Sequence, residues 1–179
     1  FTGAEIAGIK FHAAIDTRIE GNRIHDVGRG IWLDWMAQGT RVTRNLMYNN
    51  DLEDLFMEVD HGPTLVDNNV LLSEVGITTQ SEGGALIHNL IAGQIAMWPE
   101  PNRYTPYHLP HSTEVAGIST ILSGDYRCLN NIFLGLGPDE NKRDKRYHYG
   151  LSGFNSAVWP VMISGNVYYN KAEQWKDEK

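Results

Sequence analysis

The sequence predicts an all-β fold, a right-handed parallel β-helix with two long loop insertions, on three observations. An asparagine recurs at Asn22, Asn45, Asn69, Asn89, Asn131 and Asn166, with intervals of 23, 24, 20, 42 and 35 residues. Three positions before each asparagine stand Ile19, Val42, Val66, Leu86, Cys128 and Ile163, and two positions after stand Ile24, Met47, Leu71, Ile91, Phe133 and Tyr168. The segments between are short apolar runs joined by corners rich in Gly and Asn. A period near two dozen residues is a repeat architecture, and each repeat reads as one coil of strands and turns.

Each element follows from those columns. Equivalent residues of stacked coils lie about 4.8 Å apart, so the flanking apolar positions form inward ladders. Asparagines repeated at one corner can bond up and down the stack through their side-chain amides. As ordinary turn residues tolerant of a left-handed backbone they would occupy the same corners. Right-handedness comes from the strong preference of parallel crossovers for that hand. A leucine-rich repeat would need a strict leucine pattern, and a helical solenoid a 3.6-residue period over longer segments; neither occurs.

Two intervals exceed one coil. One contains Met97–Ser112, with four prolines, three aromatics and two histidines; the other contains Gly137–Tyr149, charged and polar. A solenoid carries such insertions at its corners, commonly on its binding face. The first reads as a preorganised Pro-rich loop whose aromatics could platform a sugar, or as a seal over the side of the solenoid. The polar tail Lys171–Lys179 should cover or fray from the last coil.

Composition narrows the function. The 179 residues carry a net charge of −7, which disfavours a nucleic-acid or anionic-membrane surface. With one cysteine, Cys128, an intrachain disulfide framework is excluded. No apolar run approaches the roughly 18 residues of a membrane-spanning helix. The length suits a single domain over residues 1–179. Because the chain opens inside a repeat, we expect a piece of a longer enzyme. We also expect Phe1–Ile15 to be covered by the remainder of the parent chain or by a symmetry partner, since an open strand edge invites pairing.

The chemistry sits in two consecutive coils. Asp34 and Glu58 each stand eleven residues before their asparagine, Asn45 and Asn69. Alternation along Ile31-Trp-Leu-Asp-Trp35 turns Ile31, Leu33 and Trp35 inward, with Trp32 and Asp34 outward. Along Leu55–Asp60 it turns Leu55, Met57 and Val59 inward, with Glu58 and Asp60 outward. In the coil before, Lys10 and His12 point outward, which brings His12 beside Asp34. Two carboxylates this close oppose joint ionisation, the division of roles that glycoside hydrolysis uses. Retaining enzymes hold the pair about 5–5.5 Å apart, close to the rung spacing, and inverting enzymes about 6.5–9.5 Å. Alternatively, both acids lie on a solvated face and do nothing. Trp32, Phe56, His12 and His61 around them favour a lined cleft. Substrate contacts are expected from His12, Trp32, Asp60 and His61 on the coils, and from Trp98, Tyr107, His108 and His111 on the first insertion.

The runs GIWLDWMAQGTRVTRNLMYNN and DLFMEVDHGPTLVDNNVLLS resemble the catalytic coils of glycoside hydrolase family 120, β-xylosidases on a right-handed parallel β-helix. The resemblance implies Asp34 as nucleophile and Glu58 as acid/base, with Tyr104–Thr113 similar to a substrate-side loop. It covers most of this chain and part of a family member. The expected activity is retaining cleavage of β-xylosidic bonds in xylo-oligosaccharides, with no cofactor and no metal.

Two other classes compete. A polysaccharide lyase on this fold would need a basic Lys or Arg and calcium-binding acids; Lys10 and Arg41 exist, but no acid cluster has calcium-loop spacing. Chelator sensitivity and an unsaturated product would identify it. A non-catalytic carbohydrate-binding solenoid predicts saccharide binding that survives loss of both acids. An inverting polygalacturonase would show Asp-Asp and Gly-His-Gly runs, which are absent.

Overall fold

The structure, a computed structural model, describes residues 5–135 and 145–178. Most of the second insertion, and the first four residues of the N-terminal edge, lie outside the described residues. Three sheets wind around one core. The first stacks Ile9–His12, Ile31–Asp34, Leu55–Glu58, Val75–Gln80 and Gln94–Met97, all parallel, and ends on Tyr147–His148, which runs antiparallel. The second stacks Arg18–Glu20, Thr40–Thr43, Thr64–Asp67, Gly84–Ile87, Arg127–Leu129 and Met162–Ser164. The third stacks Arg23–His25, Leu46–Tyr48, Val70–Leu71, Leu90–Ile91, Ile132–Leu134 and Val167–Tyr169. The molecule is a right-handed parallel β-helix, and coils resume after each insertion as the repeats require.

The predicted columns are the core ladders. Ile19, Val42, Val66, Leu86, Cys128 and Ile163 lie in register on the second sheet. Ile24, Met47, Leu71, Ile91, Phe133 and Tyr168 do so on the third. From the first sheet come Ile31, Leu33, Leu55, Met57, Ile77 and Ile95. Burying one such aliphatic side chain contributes about 1.5–3 kcal/mol, so the stack is held by repetition of small equal terms. The strands are too short to be stable singly.

Between the second and third sheets the asparagines form a continuous ladder. The Oδ1 of Asn45 accepts from the backbone N–H and Nδ2 of Asn22, at 3.0 and 2.9 Å. The same pair of bonds joins Asn45 to Asn69, Asn69 to Asn89, Asn89 to Asn131 and Asn131 to Asn166. Each Nδ2 from Asn45 onward also donates to a carbonyl of the coil before. The last rung, Asn166, donates to Glu178 Oε1 at 3.0 Å, so a carboxylate in the tail ends the ladder. Trp175 packs against the core nearby. The tail therefore covers the last coil.

Three local expectations are corrected. The Pro-rich insertion, expected as a preorganised loop, is an antiparallel hairpin, Glu100–His108 with Val115–Ile121. Pro101 and Pro106 fit because, among the described residues, each strand of this ribbon pairs on one side only, leaving an edge where no N–H is needed. Trp35 does not continue the inward face: the strand ends at Asp34, and Trp35 and Met36 take left-handed conformations (φ 33° and 70°). Its ring turns to His12, with centroids 5.2 Å apart. Likewise the next strand ends at Glu58, Val59 is left-handed (φ 50°), and Asp60 is 0% exposed rather than outward.

Candidate active site

The acids occupy one column of the first sheet. His12 pairs with Asp34, Asp34 with Glu58, and Glu58 with Gln80, in unbroken parallel register. The register irregularity of this sheet falls later, between Val75 and Ile77, at Gly76. Asp34 and Glu58 thus leave adjacent rungs on the same face, about 4.8 Å apart at the backbone.

Asp34 is 5% exposed and held by two basic groups. Lys10 Nζ and His12 Nδ1 each lie 3.0 Å from its Oδ2. Burial pushes the carboxyl up, but the hydrogen bonds from His12 and Lys10, with their charge, outweigh it and hold the group below the usual carboxylate range. Asp34 is a carboxylate at neutral pH. Lys10 also pairs with Glu5 and lies 3.7 Å from the centre of the Trp32 ring.

Glu58 is bonded on both oxygens. Trp32 Nε1 donates to Oε2 at 3.0 Å, and Arg103 from the hairpin donates to Oε1 at 2.6 Å. Trp32 is only 6% exposed, and Arg29 lies 4.7 Å from the ring on which Lys10 also rests. Its indole therefore orients Glu58 more than it offers an open face. Beside it a cleft of about 480 Å³ is lined by Trp32, Phe56, Glu58, Gln80, Trp98 and Arg146, among others. Trp98 is half-buried against Tyr147, and the guanidinium of Arg146 sits 4.5 Å from its ring.

The remaining predicted residues anchor the hairpin. His61 Nε2 is 3.1 Å from the carbonyl of Thr105, and its ring meets Tyr107 edge-on at 5.5 Å. The main chain of His108 is clamped by Gln38, whose Nε2 and Oε1 bond its carbonyl and N–H at 3.1 and 3.0 Å. His108 is buried, whereas His111 is exposed and pairs with Asp16 at 2.9 Å. Gln80 Nε2 donates to Glu100 Oε1 at 3.1 Å. The structure thus brings Asp34, Glu58, His12, Trp32 and Trp98 to one face. It spreads His61, Tyr107, His108 and His111 along the hairpin and places Asp60 in the interior.

Sequence reasoning missed Lys10, Arg29 and Arg103 as neighbours of the pair. Alternation does set Lys10 outward beside His12, and register sets it opposite Trp32. Arg103 comes from 45 positions away and carried no local signal.

The family model described as "Periplasmic copper-binding protein (NosD)" matches residues 2–135. The chain belongs to the NosD family. Copper in that description finds no fitting donors among the described residues. No group of three or more His, Cys, Asp or Glu among the described residues could hold a metal. Cys128, the one soft thiol, is buried in the core, and burial pushes its ionisation up and out of reach. A solved structure titled "The complex structure of XylC with xylose" is 48% identical, covers 99% of this chain and superposes with a TM-score of 0.90. The chain spans 30% of the length of XylC. This likeness bears out the resemblance to glycoside hydrolase family 120 read from the coils around Asp34 and Glu58. None of the curated proteins matches the chain in sequence.

Proposed function

We propose that this chain carries the catalytic coils of a retaining β-xylosidase acting on xylo-oligosaccharides. The observation that carries the reading is the unbulged register of Asp34 and Glu58 on adjacent rungs. That spacing suits double displacement and leaves little room for a water between acid and base. The xylose in the XylC structure supports the sugar class.

Asp34 attacks the anomeric carbon as its carboxylate forms a bond to C1. The C1–O bond to the leaving group breaks, and Glu58 supplies the proton to that oxygen. Glu58, now a carboxylate, takes a proton from water, whose oxygen attacks C1 and releases Asp34. Lys10 and His12 keep Asp34 ionised before attack. Trp32 fixes Glu58 through Oε2, so Oε1 is the oxygen that transfers the proton. Arg103, which is exposed, gives up Oε1 when substrate enters. Trp98, half-buried at the cleft, supplies apolar surface to the sugar, and His12 a polar edge. His61, Tyr107, His108 and His111 act through the hairpin they hold. Among the described residues no strand pairs with the outer edge of Ile9–His12, which we read as covered by further polypeptide of a longer enzyme or by a symmetry partner.

A panel of aryl β-glycosides, followed by trapping with an activated 2-fluoro-xyloside, tests the reading. Preference for xyloside and a covalent adduct on the peptide bearing Asp34 are expected. Labelling elsewhere, or none on a turnover-competent enzyme, contradicts it.

A further inference from the structure

A third carboxylate stands behind the pair. Asp60 follows Glu58 by two residues, is 0% exposed, and accepts a hydrogen bond at Oδ1 from the backbone N–H of Ala37 at 2.8 Å. Ala37 closes the corner that follows Asp34, in which Trp35 and Met36 are both left-handed. The N–H of Asp60 in turn donates to Ser81 Oγ at 3.0 Å, which anchors it to the next coil. Its other oxygen, Oδ2, has no hydrogen-bond partner among the described residues. Two left-handed non-glycine residues make a corner costly to hold, of order 1–3 kcal/mol each, so it persists only when its surroundings fix it.

We propose that Asp60 is a positioning residue that ties the corner after Asp34 to the corner after Glu58 and so sets the separation of the two acids. This rests on the reading of Asp34 and Glu58 as the reacting pair. Asp60 does not bind sugar and does not exchange protons in the reaction. Burial pushes its carboxyl well above the usual range, and the charges of Asp34 and Glu58 push the same way, which favours the uncharged acid. In that form it accepts the hydrogen bond from Ala37 without adding a third negative charge to the site. An isosteric amide can do the same.

Three variants of the protein separate this role from the alternatives. Asp60→Asn keeps an oxygen toward Ala37 and should leave kcat on an aryl β-xyloside within about threefold, with the pH profile unmoved. Asp60→Ala should lower kcat about 10- to 100-fold with KM little changed, as expected when reacting groups shift by about an ångström. The amide of Ala37 should exchange its hydrogen about tenfold faster in Asp60→Ala and at the parent rate in Asp60→Asn. Asp60→Ser, polar but too short to reach Ala37, should behave like Asp60→Ala and replaces it if that variant does not fold. A pH profile displaced in Asp60→Asn, or a loss there equal to that of Asp60→Ala, would overturn the proposal in favour of an ionising role. Unchanged exchange at Ala37 in Asp60→Ala would overturn it too. Should the parent enzyme turn over no glycoside, the proposed activity fails, while the exchange measurement still decides whether Asp60 holds the corner.

Discussion

Replacing Asn69 by Ala tests what holds the coils together. Asn69 is 1% exposed and its side chain makes four hydrogen bonds. Oδ1 accepts from the backbone N–H and Nδ2 of Asn45; Nδ2 donates to the carbonyl of Val42 and to Asn89 Oδ1. Alanine removes all four. Nδ2 of Asn45 keeps the carbonyl of Ile19, and Asn89 Oδ1 keeps the backbone N–H of Asn69. The backbone N–H of Asn45 is left buried without its acceptor, which costs about 1–3 kcal/mol, and the other three bonds count about 0.5–1.5 kcal/mol each. The expected loss is roughly 2.5–7.5 kcal/mol, a large part of the ~5–15 kcal/mol that holds a typical domain. Asn22→Ala is the matched control. It forfeits only the two bonds donated by Nδ2, at a half-buried end of the ladder, and should cost about 1–2 kcal/mol. Urea unfolding with a common slope reads both differences. Equal midpoints for the two variants would refute the ladder as a cooperative element and reduce its asparagines to turn residues.

Asp34→Ala should abolish turnover on all substrates, measured as aryl xyloside hydrolysis, because no glycosyl-enzyme can form. Glu58→Ala should lose most rate on poor leaving groups and least on activated aryl ones, with azide restoring the second step; equal losses would remove it from the acid role. Because the folded state depresses the Asp34 carboxyl, the stability it adds is present above its unfolded value and fades as pH falls through the folded one, so Asp34→Asn should blunt acid unfolding. The opposite sign holds for Asp60, whose raised carboxyl loses stability as pH rises above the unfolded value, and Asp60→Asn should flatten that decline in a pH series of melts. Gly84→Ala should destabilise by about 1–3 kcal/mol, since the new methyl would sit 2.2 Å from Cε1 of the buried Tyr126 ring.

Much of this was legible because a solenoid repeats its physics. The columns before and after each asparagine needed only a period and alternation, and they set Asp34, Glu58 and His12 in one row. Alternation failed where the chain leaves the strand. Trp35, Met36 and Val59 adopt left-handed backbones without glycine, so nothing in their identity announced the corner. That error carried Asp60 to the wrong face. The hairpin was hidden for another reason: its prolines argue against a strand, and they are acceptable because each strand of the ribbon pairs on one side only among the described residues. Arg103 was out of reach because a contact between a hairpin and a coil 45 residues earlier depends on tertiary geometry alone.

The proposed mechanism stands on the closeness of Asp34 and Glu58, and the stereochemistry of the first product tests that most directly. Proton NMR during hydrolysis of an aryl β-xyloside, read before mutarotation, should show β-xylose forming first. First appearance of α-xylose would mean a water stands between acid and base, and that Asp34 and Glu58 are not the pair that flanks the anomeric carbon.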